Sequence, residues 1–326
     1  MFCIDGRHSL TYACQLPALE GLIVKNKNAK GLLTALPFLT PSVIGFMLIS
    51  LVPILLSLAL SLTSYSGLKG LDIFSAEFWQ QNFVGLENYQ KILSGSEFWD
   101  SLLHIGYFII LYIPLMMASS LGIATLLNKP RKGSVFFRVL FYIPVLTSWV
   151  AGAIIWRWVL DPQYGVLNDL LAKVGVQGPA WLQDGKWAMV GIVLASVWKD
   201  MGFYGLIFLG GLKNINPVYY EAAQVDGAGK KQKFFKITLP MLSPIIYFAL
   251  VLSLINAFMI FAQVMIMTGG GPYGSTEVIV ERIYNYAFHY HKMGYASALS
   301  WILFAIVFAL TFIQQRAQKK WVNYDA

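Results

Sequence analysis

Charge is scarce in this sequence: of 326 residues only 12% are Asp, Glu, Lys or Arg. Soluble domains carry about 25%, so a water-soluble globular enzyme fits poorly. Cysteine is nearly absent. Cys3 and Cys14 lie near the N-terminus in no CxxC or zinc spacing, and supply neither a disulfide framework nor a metal site. His289 and His291 stand two apart with no third ligand beside them and read as surface residues. There is no Ser-His-Asp arrangement and no carboxylate pair, so no catalytic residue is assigned. The phosphate-loop pattern GxxxxGKS or GxxxxGKT is missing too. Gly227-Ala-Gly-Lys230 has neither its spacing nor its hydroxyl residue, so the chain by itself is expected to hold no ATP and no other cofactor. Long strand-like alternation, the mark of a β-barrel, is also missing.

What the chain has is apolar length. Hydrophobic residues make up 57% of it, which excludes a disordered protein. A bilayer core about 30 Å thick needs about 20 apolar residues per helix. Six runs qualify: 37–64, 102–128, 138–158, 187–212, 244–268 and 296–314. The expected fold is all-α, a polytopic membrane protein of six transmembrane helices, with Pro114 kinking the second. Its organisation would be an N-terminal tail (1–36), a six-span domain (37–314) and a C-terminal tail (315–326). Sixteen Lys and Arg fall on one side of the runs, including Arg7, Lys25, Lys129, Lys230 and Lys319, against six on the other. Both termini are therefore expected in the cytoplasm. The net charge of +8 reads as a topology signal, not as nucleic-acid binding.

Residues 213–243 do not read as a passive linker. Asn216 suits a helix N-cap and Pro217 the first helical position. Helix-compatible residues follow to Val225, and Asp226-Gly227 and Gly229 interrupt. A second, basic helix is predicted over Lys230 to Ile237, stopped by Pro240. Small residues on a compact loop suit docking into a groove on another protein.

The residues Glu221-Ala222-Ala223, then Asp226-Gly227-Ala228, then Ile237-Thr238-Leu239-Pro240 resemble the EAA loop of binding-protein-dependent ABC importer permeases. The spacing matches: EAA, three residues, Gly, nine residues, Ile-x-Leu-Pro. Phe83-Val-Gly-Leu-Glu-Asn-Tyr89, Gly165-Val-Leu-Asn168, Gly269-Gly-Gly-Pro272 with Ser275-Thr276-Glu277, and Gly294-Tyr-Ala-Ser-Ala298 resemble the carbohydrate branch, in the manner of the larger maltose-type or glycerol-phosphate-type permease. The resemblance implies a type I ABC importer permease in the bacterial inner membrane. It implies as partners a second homologous permease, two ATPase subunits that bind ATP and Mg, an extracytoplasmic solute-binding protein and a carbohydrate substrate. Glu221, Ala222, Ala223, Asp226, Gly227, Leu239 and Pro240 would then couple the permease to an ATPase.

Polar groups at mid-membrane depth are costly and mark pathways. Counting to the centre of each run selects Thr147 and Trp149 in the third, Lys199, Asp200, Phe203 and Tyr204 in the fourth, and Asn256 in the fifth, with Gln263 nearer one end. Aromatic faces beside amides and hydroxyls suit a sugar ring. Each residue also has a plainer use. Thr147 can bond the preceding helical turn, Phe203 and Tyr204 can pack between helices, and Asn256 can bond across them. Lys199 and Asp200, one residue apart, diverge by about 100° on a helix and must find separate partners. Lys199 at this depth mildly favours an anionic ligand. The competing reading is a self-contained secondary transporter of a small polar solute, although no second copy of the EAA segment is visible.

Overall fold

The computed structural model describes residues 36–68, 70, 72, 73, 75–129 and 133–323. Cys3, Cys14, the basic residues of the N-terminal tail, Lys69, Arg131 and Lys132 lie outside the described residues. The chain divides into two units, one ending at Leu56 and the other starting at Ser57. Among the described residues there are helices and no strands.

The first unit carries most of α1 (Leu36–Ser61). A π turn at Met47–Leu51 lies just ahead of Pro53. Proline offers no N–H to the carbonyl one turn back, and the wider turn accommodates that lost bond.

The second unit holds α2 (Ala76–Asn82), α3 (Glu87–Ser94), α4 (Ser96–Asn128), α5 (Ser134–Leu146), α6 (Trp149–Val159), α7 (Val166–Lys173), α8 (Gly185–Asn214), α9 (Pro217–Val225), α10 (Lys230–Met241), α11 (Ser243–Phe258), α12 (Ala262–Met267), α13 (Ile279–Tyr284) and α14 (Met293–Ala317). The core is α4 against α8. Helix α4 buries Ile105, Phe108, Tyr112, Met116, Ser120 and Ala124, spaced three or four apart, so one stripe faces inward. Helix α8 answers with small residues, Gly191, Ala195, Gly202 and Gly205 among them, which let backbones approach closely inside a membrane. Pro114 lies inside α4 without interrupting it.

Among the described residues, four helices are long and apolar enough to cross a membrane unaided, and counting each of two bent pairs as one span raises the number to six. This corrects two of the expected spans. The run 138–158 is not one helix: α5 and α6 meet at 102°. Pro144 lies in the last turn of α5, and Ser148 caps α6 by accepting the Ala151 N–H at 3.2 Å. The run 244–268 likewise divides into α11 and α12 around Met259–Phe261. The predicted stop at Pro240 also shifts. A π turn at Phe234–Thr238 carries the helix through Pro240 to Met241, and the 64° bend falls at Leu242. Pro240 and Pro244, four apart, each lack the N–H for a helical hydrogen bond on either side of the bend.

The family-like motifs act as joints. Asn88 donates to the Ser61 and Thr63 carbonyls at 2.9 and 2.8 Å, finishing the end of α1. Asn168 accepts from Trp181 Nε1 at 2.7 Å and donates to Pro162 and Pro179. Gly202 permits the tightest crossing of α8: a Cβ there would lie 2.0 Å from the Phe141 carbonyl oxygen. Backbone cannot swing aside as a side chain can. Gly202→Ala is therefore expected to destabilise the protein by about 3 kcal/mol, read as a lower melting temperature of the detergent-solubilised chain.

Candidate functional site

Every helix break leaves orphan backbone groups, and inside a membrane they must be satisfied by protein or line a cavity. Both solutions occur here. The carbonyls ending α5 are capped by Lys199 of α8, whose Nζ donates to Pro144, Val145 and Thr147 at 3.1, 3.3 and 2.6 Å. Cationic caps suit the negative end of a helix dipole. The same ammonium stands 5.4 Å from the Trp149 ring centroid. Lys199 is buried and committed to backbone, so the expectation that it favours an anionic ligand is corrected.

Asp200, pointing elsewhere on the helix, accepts from the Tyr112 hydroxyl of α4 at 2.7 Å. It lines a cavity of about 450 Å³ between the two breaks. Phe108 and Tyr112 of α4, stacked at 5.0 Å, form one wall. Ser196 and Asp200, one turn apart on α8, form another, and Trp149 opens α6 beside them. Asn256 ends the α11 contribution, and Phe261 with Gln263 closes it from the second break. Helix α12 packs on α6, which brings the two breaks together.

Of the residues singled out by depth, Trp149, Asp200, Asn256 and Gln263 line this cavity. Tyr204 is buried behind it and its oxygen accepts from Asn256 Nδ2 at 3.3 Å. Phe203, more exposed, meets the Tyr204 ring edge-on. Thr147 Oγ1 donates to the Pro144 carbonyl at 2.6 Å, the plainer of its two uses. Tyr112, Phe108, Ser196 and Phe261 were missed. For Tyr112 a signal existed: a tyrosine hydroxyl in an apolar run needs a partner.

The loop between α8 and α11 is a second candidate surface. Asn216 Oδ1 accepts the Val218 N–H at 3.1 Å, capping α9 ahead of Pro217. Gly227 turns the chain at φ +74°, a conformation glycine adopts freely. The Ala228 N–H then bonds the Ala223 carbonyl at 2.9 Å. Tyr220 and Thr238 hydroxyls meet at 2.9 Å, and Lys233 Nζ donates to Gln224 at 3.2 Å, so α9 and α10 are tied together. Glu221, Ala222, Asp226 and Gly227 are exposed, while Ala223, Leu239 and Pro240 are half-buried. Val225, apolar and 89% exposed, stands beside them.

A third polar cluster surrounds α13. Arg282 binds Glu97 at 2.7 Å, Glu277, and Ser101 at 2.5 Å. Neighbouring Glu281 is buried, and its Oε2 has no hydrogen-bond partner among the described residues. Burial raises its carboxyl to about 7, and the Glu277 charge pushes the same way. A raised acid favours folding while protonated. Its stabilising contribution is thus complete below the ordinary carboxylate range and is lost as pH rises through about 7. Glu281→Gln is expected to flatten thermal stability between pH 5 and 8, measured on the solubilised protein. An unchanged slope would count against the assignment.

Relatives place this geometry. The chain is 41% identical over 294 residues, covering 89% of it and 91% of the relative, to a probable ABC transporter permease protein, YesP, of Bacillus subtilis. It is 36% identical over 234 residues, 72% of the chain and 79% of the relative, to the trehalose/maltose transport system permease MalF of Thermococcus litoralis. The fold matches a chain of a bacterial ABC transporter involved in import of the acidic polysaccharide alginate, with TM-score 0.75 and 21% identity over 91% of this chain and 98% of that one. Residues 98–323 match the family model described as the inner membrane component of binding-protein-dependent transport systems. With membrane-length helices, two broken spans around one cavity, and a capped helix–glycine–helix loop between the spans that line it, this chain belongs to that family, as a transport permease subunit of the membrane.

Proposed function

We propose that the chain forms half of the translocation pathway of an ATP-driven carbohydrate importer. Its partners are a second homologous permease, two ATPase subunits carrying ATP and Mg, and an extracytoplasmic solute-binding protein. Both termini and the Glu221 loop face the cytoplasm, following the Lys and Arg bias. A self-contained secondary transporter is set aside by the family membership.

One observation supports the coupling reading above others. The helices entering and leaving the loop, α8 and α11, are those that bear Asp200 and Asn256. Glu221, Ala222, Asp226 and Gly227 offer an exposed surface for an ATPase cleft, and Ala223, Leu239 and Pro240 shape it from beneath. Because α9 and α10 are tied together, displacement of the loop by the ATPases is passed to both cavity-lining helices. The cavity itself offers aromatic faces from Trp149 and Phe261 beside hydrogen-bonding groups from Asn256 and Gln263, the pairing a sugar ring needs. The relative named for trehalose and maltose supports a carbohydrate.

Mild-detergent purification of the tagged chain from membranes where it is active, with mass identification of partners, tests this. A second EAA-type permease and a phosphate-loop ATPase in stoichiometric amounts are expected. Recovery of the chain alone, or only with copies of itself, would refute the division of labour.

A further inference from the structure

Resting on that reading of the cavity, we propose that its solute is an uncharged polyhydroxylated one, that anionic sugars are rejected, and that Asp200 sets this choice. Among the described residues, no Lys, Arg or His lines the cavity. The nearest ammonium on α8, Lys199, is held by three backbone carbonyls and the Trp149 ring. Its donors are engaged there and are not offered to a ligand. The one ionisable acid in the wall is Asp200. Its Oδ2 accepts from Tyr112, which leaves Oδ1 for a ligand.

A carboxylate oxygen accepts hydrogen bonds and cannot donate. A sugar hydroxyl supplies the matching O–H. A phosphate, sulfonate or uronate oxygen supplies only another acceptor and a like charge. Asn256 and Gln263 amides can serve either kind of ligand, so within this chain's half of the pathway discrimination falls to Asp200.

The test uses the purified transporter with its co-purified partners in lipid nanodiscs, without solute-binding protein, so that the cavity alone selects. The probes are trigalacturonate and its fully methyl-esterified form, which differ in charge on one sugar backbone. Tryptophan fluorescence is followed during titration. The ester is expected to saturate the signal at a concentration about 100-fold lower than the acid. Asp200→Asn is expected to narrow that ratio to below about 10-fold while co-purifying with the same partners. A Gln263→Lys variant, which leaves Asp200 in place, is expected to narrow it too by supplying the missing cation. Equal or tighter binding of the acid by the unaltered transporter overturns the selectivity but leaves the importer reading standing. A ratio that Asp200→Asn does not change removes Asp200 from the role. Failure of both probes to alter the signal, in a transporter whose ATPase is active, overturns the cavity as the carbohydrate site and this inference with it.

Discussion

Lys199→Met lowers the melting temperature of the solubilised chain by about 10 °C and weakens solute binding. Three carbonyls at the end of α5, one buried and two part-buried, lose their donor together. Hydrogen bonds to a charged group are worth about 1.5–3 kcal/mol each, and orphaned buried acceptors add their own desolvation cost. Partial relaxation leaves a net loss of about 3–5 kcal/mol, which sets the temperature shift. The second consequence is local. Trp149 starts the helix across the break and faces the ammonium, so it loses the group that orients it in the cavity wall. Lys199→Arg keeps the charge, but a planar fork does not converge on three carbonyls as an ammonium does, and an intermediate shift is expected. Thermal unfolding monitored by size-exclusion chromatography separates the three proteins. Equal stability of wild type and Lys199→Met would mean that water caps the break instead.

Glu221→Ala abolishes solute-dependent ATP hydrolysis in the reconstituted complex, with a fall of about 100-fold, while the chain still inserts and folds. Glu221 is exposed on α9, and no described side chain bonds it. Its removal therefore costs this chain nothing structural, and any large effect arises at an interface, where truncating one member of a charge pair costs about 2–5 kcal/mol. Gly227 supplies a control for shape. Its φ of +74° disfavours most residues, yet a Cβ there meets nothing within 4 Å. Gly227→Asn keeps the turn, because asparagine tolerates the left-handed region, whereas Gly227→Val costs about 1–2 kcal/mol locally and lowers coupling about 10-fold. Full activity in Glu221→Ala would place the ATPase contact elsewhere.

The amino-acid sequence by itself determined the class of the fold, the number of apolar runs and the helix–glycine–helix form of the loop at Glu221. Those features are local: run length is set by the bilayer, and caps and glycine turns act within a few residues. It also determined that Lys199 and Asp200 diverge, because neighbours on a helix always do. Tertiary structure decided where each one went. A hydropathy run cannot reveal a 102° bend at Thr147–Ser148, because the carbonyls it frees are met by a lysine distant in the sequence. Nor could residues 244–268 reveal the break at Met259–Phe261: no Gly or Pro lies in 250–268, and the turn is held by packing such as Phe261 against Tyr284. Tyr112 and Asp200 lie 88 positions apart and meet only because small residues of α8 let α4 approach. The loop was legible because its chemistry is local, and the cavity was not, because it is made by breaks that only the assembled bundle can satisfy.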